Sequence, residues 1–112
     1  MFSNRQPSPR ALDCAEALYA VLARDAGFAR VRRLWEIDWS EADVTVEALG
    51  LTRLLRNEAR KLLPLLDGAG DTSWADVAEA IRWTERHDAL AQTALWWLGQ
   101  IGADPALAAR RT

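Results

Sequence analysis

Apolar residues recur at three- and four-residue intervals along most of the chain, and this spacing predicts helices. The first such run follows Ser8 and Pro9, a capping hydroxyl and a proline at the first helical position, and Gly27 is its predicted C-cap. Its apolar members are Leu12, Ala15, Tyr19, Leu22 and Ala26. A shorter helix is predicted over residues 28–37. No segment alternates apolar and polar residues as a strand would, so the pattern indicates an all-α protein.

The most amphipathic stretch lies between Val46 and Leu66. Its apolar side chains fall within about 140° of a helical wheel; they are Leu51, Leu54, Leu55, Ala59, Leu62, Leu65 and Leu66. Ser40 and Asp43 match a capping box ahead of this helix. Pro64 lies one turn before its end, where the missing N–H and the ring of proline kink or terminate a helix.

The last third of the chain predicts two further helices separated by a polar break. Ser73 and Asp76 form a second capping box, which opens a helix at Trp74. The apolar side of that helix consists of Trp74, Val77, Ala78 and Ile81. Residues 84–88 are all polar, and the apolar pattern restarts one face over with Trp83, Leu90, Ala94, Trp97 and Ile101. Asp104 and Pro105 then predict a short terminal turn.

These elements predict a single domain that folds as a compact bundle of four to six helices. Residues 1–7 are expected to be a flexible tail, residues 8–102 the helical bundle, and residues 103–112 a short C-terminal helical turn or tail. A chain of 112 residues is long enough to bury roughly 60–65% of its unfolded surface in such a bundle.

Charge and composition narrow the class of protein. The formal net charge is −2, with 14 Lys and Arg residues against 16 Asp and Glu, a balance that argues against a surface dedicated to nucleic acid but leaves room for a local basic face. Cys14 is the single cysteine, so an internal disulfide is excluded and a cytoplasmic protein is expected. No apolar run approaches the ~20 residues that span a bilayer, and the first ten residues lack a secretory signal, so no membrane association is expected.

Enzymatic chemistry finds little support. His87 is the single histidine and falls at the edge of an apolar face, which predicts a structural role. Cys14 lies within an amphipathic helix and is expected to be a small core residue. The glycine-containing stretch 67–71 lacks the Lys-Ser/Thr that completes a phosphate loop. The sequence therefore predicts a non-enzymatic protein with no cofactor and no catalytic or metal site.

One segment resembles a known DNA-binding motif. "TSWADVAEAI", residues 72–81, resembles the "SWADVAEAL" segment that opens a helix-turn-helix in many bacterial DNA-binding proteins, with Ala78 at the small fifth helical position. The resemblance implies that the following helix contacts DNA. It departs from the family at residues 82–84, where Arg-Trp-Thr replaces the usual Gly-Val-Thr turn, and at Asp88 and His87, where the family has an aliphatic residue and alanine.

Charge in the second half of this segment favours packing over DNA contact. A recognition helix gains affinity from several cationic contacts to phosphates. Between Thr84 and Gly102 the one cation is Arg86, and it is accompanied by two acids, Glu85 and Asp88. We therefore expect residues 73–101 to form two packed helices or one long bent helix, with DNA contact through Arg86 as the alternative.

Two groups of arginines are candidate anion-binding surfaces. Arg53, Arg56 and Arg60 fall together on the side of the central helix opposite its leucines. They predict a face for an acidic partner or a nucleic-acid backbone; the alternative is a solvated face that balances the acidic segment 36–47. Three further arginines, Arg30, Arg32 and Arg33, could join them in space and, like Arg86, are candidate nucleic-acid contacts.

The six tryptophans differ in their predicted roles. Trp74, Trp83 and Trp97 lie on apolar faces and are expected to anchor the core. Trp96 points about 100° away from Trp97 on a polar helix face, so it is a candidate anchor for a partner. The alternatives for Trp96 are cover by a neighbouring helix, or base stacking with a single-stranded nucleic acid.

Together these features predict a small, non-enzymatic interaction or regulatory protein. Its partner, expected to be a protein, would bind a surface formed by Trp96, Arg53, Arg56 and Arg60. Nucleic-acid binding and self-association stay open. The alternatives are a helix-turn-helix DNA-binding regulator, or a small helical subunit of a nucleoprotein complex.

Overall fold

Helices account for the regular structure of residues 6–37, 49–66 and 72–108, which are the residues that the computed structural model describes. The elements are α1 (Pro9–Arg24), α2 (Gly27–Trp35), α3 (Leu51–Arg60), a 3₁₀ helix (Leu63–Leu66), α4 (Trp74–Trp83), α5 (Ala89–Ala103) and α6 (Pro105–Ala108). The predicted all-α, single-domain bundle is confirmed.

Three helices form the body of the bundle and the others pack around it. α1, α4 and α5 contact one another, α2 packs on α3, and α6 packs on the end of α5 and on α3. The largest fully buried side chains are Trp97, Phe28, Leu18, Leu62, Ile81, Ile101, Leu107 and Val77. Five alanines of the described residues are also fully buried (Ala11, Ala59, Ala80, Ala91 and Ala94), and their small side chains allow neighbouring helices to approach closely.

Side-chain caps fix where the helices of the body begin. The hydroxyl of Ser8 accepts a 3.1 Å hydrogen bond from the N–H of Ala11 at the start of α1. At the start of α4, the hydroxyl of Ser73 accepts from the N–H of Asp76 (3.2 Å) while the Asp76 carboxylate accepts from the N–H of Ser73 (2.9 Å). Both caps were predicted from the sequence and are confirmed.

The end of α1 differs from the prediction. Gly27 was expected to be its C-cap, but α1 ends at Arg24 and Gly27 is the first residue of α2. The reason is Asp25, whose carboxylate accepts a 2.8 Å hydrogen bond from the N–H of Gly27 and turns the chain there. A Cβ at Gly27 would lie 2.9 Å from that carboxylate oxygen, so the close approach favours glycine.

The long central helix is shorter than predicted. α3 ends at Arg60 and a 3₁₀ helix follows at Leu63–Leu66, because Pro64 cannot donate the hydrogen bond that an α-helix needs. Leu54, predicted on the buried side, is 37% exposed. Residues 46–48 of the predicted helix, and the predicted capping box of residues 40 and 43, lie outside the described residues.

The C-terminal turn belongs to the bundle. It forms α6, and Leu107 within it is fully buried against the core. A residue beyond position 102 therefore contributes to the buried core.

Substitutions at two residues with positive φ angles are expected to change stability in opposite directions. Glu85 has φ 56° in the turn after α4, and Gly50 has φ 70° before α3. A residue with a Cβ is strained by about 1 kcal/mol in this left-handed region. We expect Glu85→Gly to raise the unfolding free energy by up to about 1 kcal/mol, and Gly50→Ala to lower it by about 1 kcal/mol, although a Cβ at Gly50 meets no atom within 4 Å. Chemical denaturation measures both; equal signs would contradict the strain argument.

Candidate interaction surface

The arginines of α3 form one side of a shallow surface groove. Arg53, Arg56 and Arg60 line it together with Leu49, Gly50, Thr52 and Asn57, and its volume is about 730 Å³. Leu49 is 43% exposed. We call Leu49, Arg53, Arg56 and Arg60 the α3 stripe; the three arginines lie within about 60° of one another on the helix, and Leu49, two residues before the helix, lines the same groove. The stripe presents positive charge beside an apolar side chain.

The three arginines of the α3 stripe are held differently. Arg56 Nε donates to Asp104 Oδ2 at 2.6 Å and Arg56 Nη2 donates to Asp104 Oδ1 at 3.3 Å, so this pair ties α3 to the end of α5. Arg60 Nη1 donates to the side-chain oxygen of Asn57 at 3.1 Å. Within the described parts of the chain, neither Arg53 nor Arg60 forms an ion pair. Two of the three cations therefore have no ion-pair partner among the described residues.

The second basic group lies on the neighbouring helix, α2. Arg32 is partly buried and donates to Glu36 Oε1 and to the hydroxyl of Thr93, both at 3.0 Å, so it links α2 to α5. Arg30 and Arg33 are exposed. Because α2 packs on α3, the two basic groups occupy adjacent helices. The sequence alone did not decide whether they lie close together.

Trp96, the candidate anchor for a partner, is neither fully buried nor fully exposed. It is partly buried against the core, and its ring meets that of Trp97 edge to face at a centroid distance of 5.0 Å. Thr93 and Asp104 lie on the same side of α5 as Trp96, and they bind arginines of α2 and α3. Trp96 is therefore partly covered by the core, and its role as a partner anchor stays a prediction.

Trp83 is more exposed than the sequence predicts. It was predicted to anchor the core, but it is 45% exposed. The prediction assigned Trp83 to the helix after the polar break, whereas it is the last residue of α4 and lies opposite the buried side formed by Val77 and Ile81. Its ring lines a second groove, of about 610 Å³, between α4 and the start of α1. We call this the Trp83 groove; its other lining residues are Gln6, Pro7, Ser8, Ala11, Asp76, Glu79 and Arg82.

The segment that resembles a helix-turn-helix forms α4, a turn at residues 84–88 and α5. Arg86, its candidate DNA contact, donates from Nε to Asp88 Oδ2 at 2.7 Å, and its guanidinium carbon lies 4.3 Å from the ring centroid of Tyr19. Burial raises the pKa of Tyr19, an effect that the positive charge of Arg86 partly offsets. Arg86 is thus held against α1. His87 is exposed in the same turn.

Asp88 gives this turn a pH dependence. The N–H of Ala91, foremost, and the side chain of Arg86 hold the pKa of Asp88 below its usual range. The folded state therefore binds fewer protons than the unfolded state, and the stabilisation is present above about pH 4 and is lost as the pH falls through the folded pKa. We expect Asp88→Asn, which keeps an acceptor for Ala91, to lose less stability than the wild type on acidification.

Denaturant unfolding between about pH 2 and pH 6 measures this difference. Glu79→Gln removes an exposed carboxylate without touching a helix cap and is the charge-matched control. Identical pH profiles for the wild type and Asp88→Asn would contradict the prediction.

Other candidate chemistry is structural where it is described. Cys14 is buried in the core, as predicted, and its thiol lies 3.4 Å from the carbonyl oxygen of Leu65. In the described ranges, no three His, Cys, Asp or Glu side chains are grouped so that they could bind a metal ion. None of the helices found there has the length and apolar character needed to cross a membrane.

The structure thus has two candidate surfaces, the α3 stripe and the Trp83 groove, and Trp96 is partly buried. Comparison of the chain with protein-family models, with curated proteins and with solved structures finds no match.

Proposed function

We propose that this protein is a non-enzymatic helical binding module that docks an acidic protein segment on the α3 stripe. One observation carries the proposal: Arg53 and Arg60 are exposed on one side of α3, without an ion-pair partner among the described residues, next to the exposed Leu49. Guanidinium groups bind carboxylates in a planar, two-bond geometry, and an adjacent apolar side chain adds contact area.

The mixture of charge and apolar surface favours a protein partner over a nucleic acid. Leu49 offers nothing to a phosphate backbone, and Trp96, the aromatic ring predicted to stack on bases, is partly buried. Arg56 is oriented toward this surface by its pair with Asp104. With Cys14 as the single thiol, a reducing compartment such as the cytoplasm suits this role.

DNA binding through the α4–α5 segment is the alternative function, and the test must distinguish it from binding of an acidic protein segment on the α3 stripe. For that role Arg86 would have to leave both Asp88 and the ring of Tyr19. A regulator of this kind would depend on Arg86, whereas the proposed module depends on Arg53 and Arg60. A subunit that contacts phosphates through the arginines would bind DNA or RNA through the α3 stripe.

The experiment measures fluorescence anisotropy of four labelled probes: a Glu-Leu peptide, a Glu-Ser peptide of equal charge, duplex DNA and single-stranded RNA. We expect the Glu-Leu peptide to bind best, and binding to weaken between about 20 mM and 200 mM salt because the contacts are exposed charges. Arg53→Gln with Arg60→Gln should reduce its affinity about tenfold, equivalent to about 1.4 kcal/mol for the two contacts.

The control removes equal charge elsewhere. Arg10 and Arg24 are exposed on α1, so Arg10→Gln with Arg24→Gln should leave the affinity within about twofold. Leu49→Ser should abolish the preference for the Glu-Leu peptide over the Glu-Ser peptide. DNA binding that is lost in Arg86→Ala would replace the proposal with the helix-turn-helix function, and tighter binding of nucleic acid through Arg53 and Arg60 would replace it with the nucleoprotein function. No binding of any probe at low salt would reject it.

A further inference from the structure

The exposed side of α4 carries a second linear pattern, which the proposed function does not use. Asp76, Glu79 and Trp83 lie at positions i, i+3 and i+7, within about 60° of one another and along about 10.5 Å of helix. All three side chains are exposed, and all three line the Trp83 groove. We call them the α4 stripe; it offers two carboxylates and the largest exposed apolar ring of the described residues.

The carboxylates of the α4 stripe keep capacity for a partner. Asp76 accepts one hydrogen bond from the N–H of Ser73, which leaves its other oxygen in solvent. Glu79 pairs with Arg82 at 2.7 Å, but this pair is at the surface, where the Glu79 side chain is 72% exposed. Surface pairs of this kind are weak and exchange readily.

The α3 stripe matches this pattern in spacing and opposes it in charge. Arg53, Arg56 and Arg60 also lie at positions i, i+3 and i+7, so the two helices present three groups each at the same intervals. The bidentate pair of Arg56 with Asp104 uses Nε and Nη2, which leaves Nη1 for a further acceptor. Within one chain, α3 packs mainly on α2 and α6, and α4 packs mainly on α1 and α5. The two helices that carry the stripes therefore have different main neighbours.

From this match we infer that the α3 stripe of one molecule docks in the Trp83 groove of a second copy of the same chain. The inference rests on the proposed function, because it names the partner of the α3 stripe. The two helices pair antiparallel: Arg53 stacks on the ring of Trp83 and Arg60 meets Asp76, while Arg56 lies about 1.5 Å along the axis from Glu79 and reaches it with Nη1. This direction also brings Leu49, the apolar end of the α3 stripe, to the Trp83 end of the pair, whereas parallel pairing would put Leu49 at the Asp76 end, against charge. Arginine stacks well on an indole face.

The contact joins two different surfaces, so each docked pair retains one free α3 stripe and one free Trp83 groove. Such a contact either adds further copies or closes into a ring. This property allows a sharp test with two half-blocked variants. Variant A carries Arg53→Gln and Arg60→Gln, leaving Arg56 in its pair with Asp104. Variant B carries Glu79→Gln and Trp83→Ala.

The measurement is sedimentation velocity at rising protein concentration. At about 20 mM salt we expect the wild type to form either a closed ring or open species larger than a dimer. At about 0.5 M salt, where exposed charges are screened, we expect it to return to monomer. Variants A and B should each stay monomeric alone. An equimolar mixture should form a dimer and nothing larger, because one intact α3 stripe then meets one intact Trp83 groove. Circular dichroism of both variants checks that their exposed substitutions preserve the fold.

Matched variants sharpen the result. Arg10→Gln with Arg24→Gln controls for lost positive charge and Glu16→Gln for lost negative charge; both change exposed α1 side chains and should associate as the wild type does. A monomeric wild type at every concentration at low salt would overturn the inference, as would association that persists in variant B. Binding of the Glu-Leu peptide by variant B distinguishes the two failures, since the proposed function requires that binding to survive in B and to be lost in A.

Discussion

Replacing Trp97 with alanine is expected to lower the unfolding free energy by about 3–5 kcal/mol, the range for emptying a large aromatic site in a core. Trp97 has no solvent exposure and meets Phe28 edge to face at 5.4 Å and Trp96 at 5.0 Å. Its loss therefore removes packing between α5 and α2 as well as apolar burial. Domains of this size are stabilised by about 5–15 kcal/mol in total, so the variant should be partly unfolded under mild conditions.

Two other tryptophan variants separate burial from residue type. Trp83→Ala should change the unfolding free energy by less than about 1 kcal/mol, because that side chain is 45% exposed. Trp97→Phe should cost less than Trp97→Ala, since it keeps a ring and removes an indole N–H that finds no acceptor in the described structure. Urea unfolding followed by circular dichroism measures all three. Equal losses for Trp83→Ala and Trp97→Ala would contradict this assignment of core and surface.

Phe28→Ala is expected to be nearly as costly, about 3–5 kcal/mol, but to act on a different part of the bundle. Phe28 and Val31 are the buried residues of α2, and Phe28 is fully buried between Trp97 and the ammonium group of Lys61, which lies 5.8 Å from its ring centroid. Without this ring, α2 loses its main attachment to α5. The loss should therefore begin in α2 and in α3, which packs on it.

Hydrogen exchange tests this distribution. We expect amides of α2 and α3 in Phe28→Ala to lose protection before those of α1, α4 and α5, which contact one another directly. Ile37→Ala, just beyond the same helix, is the control and should change stability by no more than about 0.5 kcal/mol because Ile37 is 48% exposed. A uniform loss of protection across all helices would show that the bundle opens as one unit.

Local signals predicted much of this fold. Ser8 and Ser73 act on backbone groups three residues away, so their caps and the helix starts could be recognised from adjacent residues alone. The all-α class followed from apolar spacing for the same reason. Trp83 was misplaced because helical phase is meaningful only within one helix, and the prediction carried it across the polar break at residues 84–88.

The candidate surface was harder to predict because its character depends on long-range partners. The positions of Arg53, Arg56 and Arg60 on one side of a helix were visible in their spacing. That Arg56 is tied to Asp104, 48 residues away, while the other two are not, required the packing of α6 against α3 and α5. Exposure of the indole of Trp83 could have been predicted from its phase relative to Val77 and Ile81 had α4 been continued to its true end.

The ion pair between Arg56 and Asp104 gives the α3 stripe a remote reporter. One guanidinium both faces the groove and holds the residue that ends α5 and precedes α6. A ligand that competes for Arg56 must therefore break a link between α3 and the junction of α5 and α6, and a ligand that leaves the pair intact does not. By thermodynamic reciprocity, a change that stabilises the pair of Arg56 with Asp104 weakens, by the same factor, the binding of a ligand that competes for Arg56. Substitutions at the junction of α5 and α6 are thus expected to change the affinity of a ligand that binds on α3.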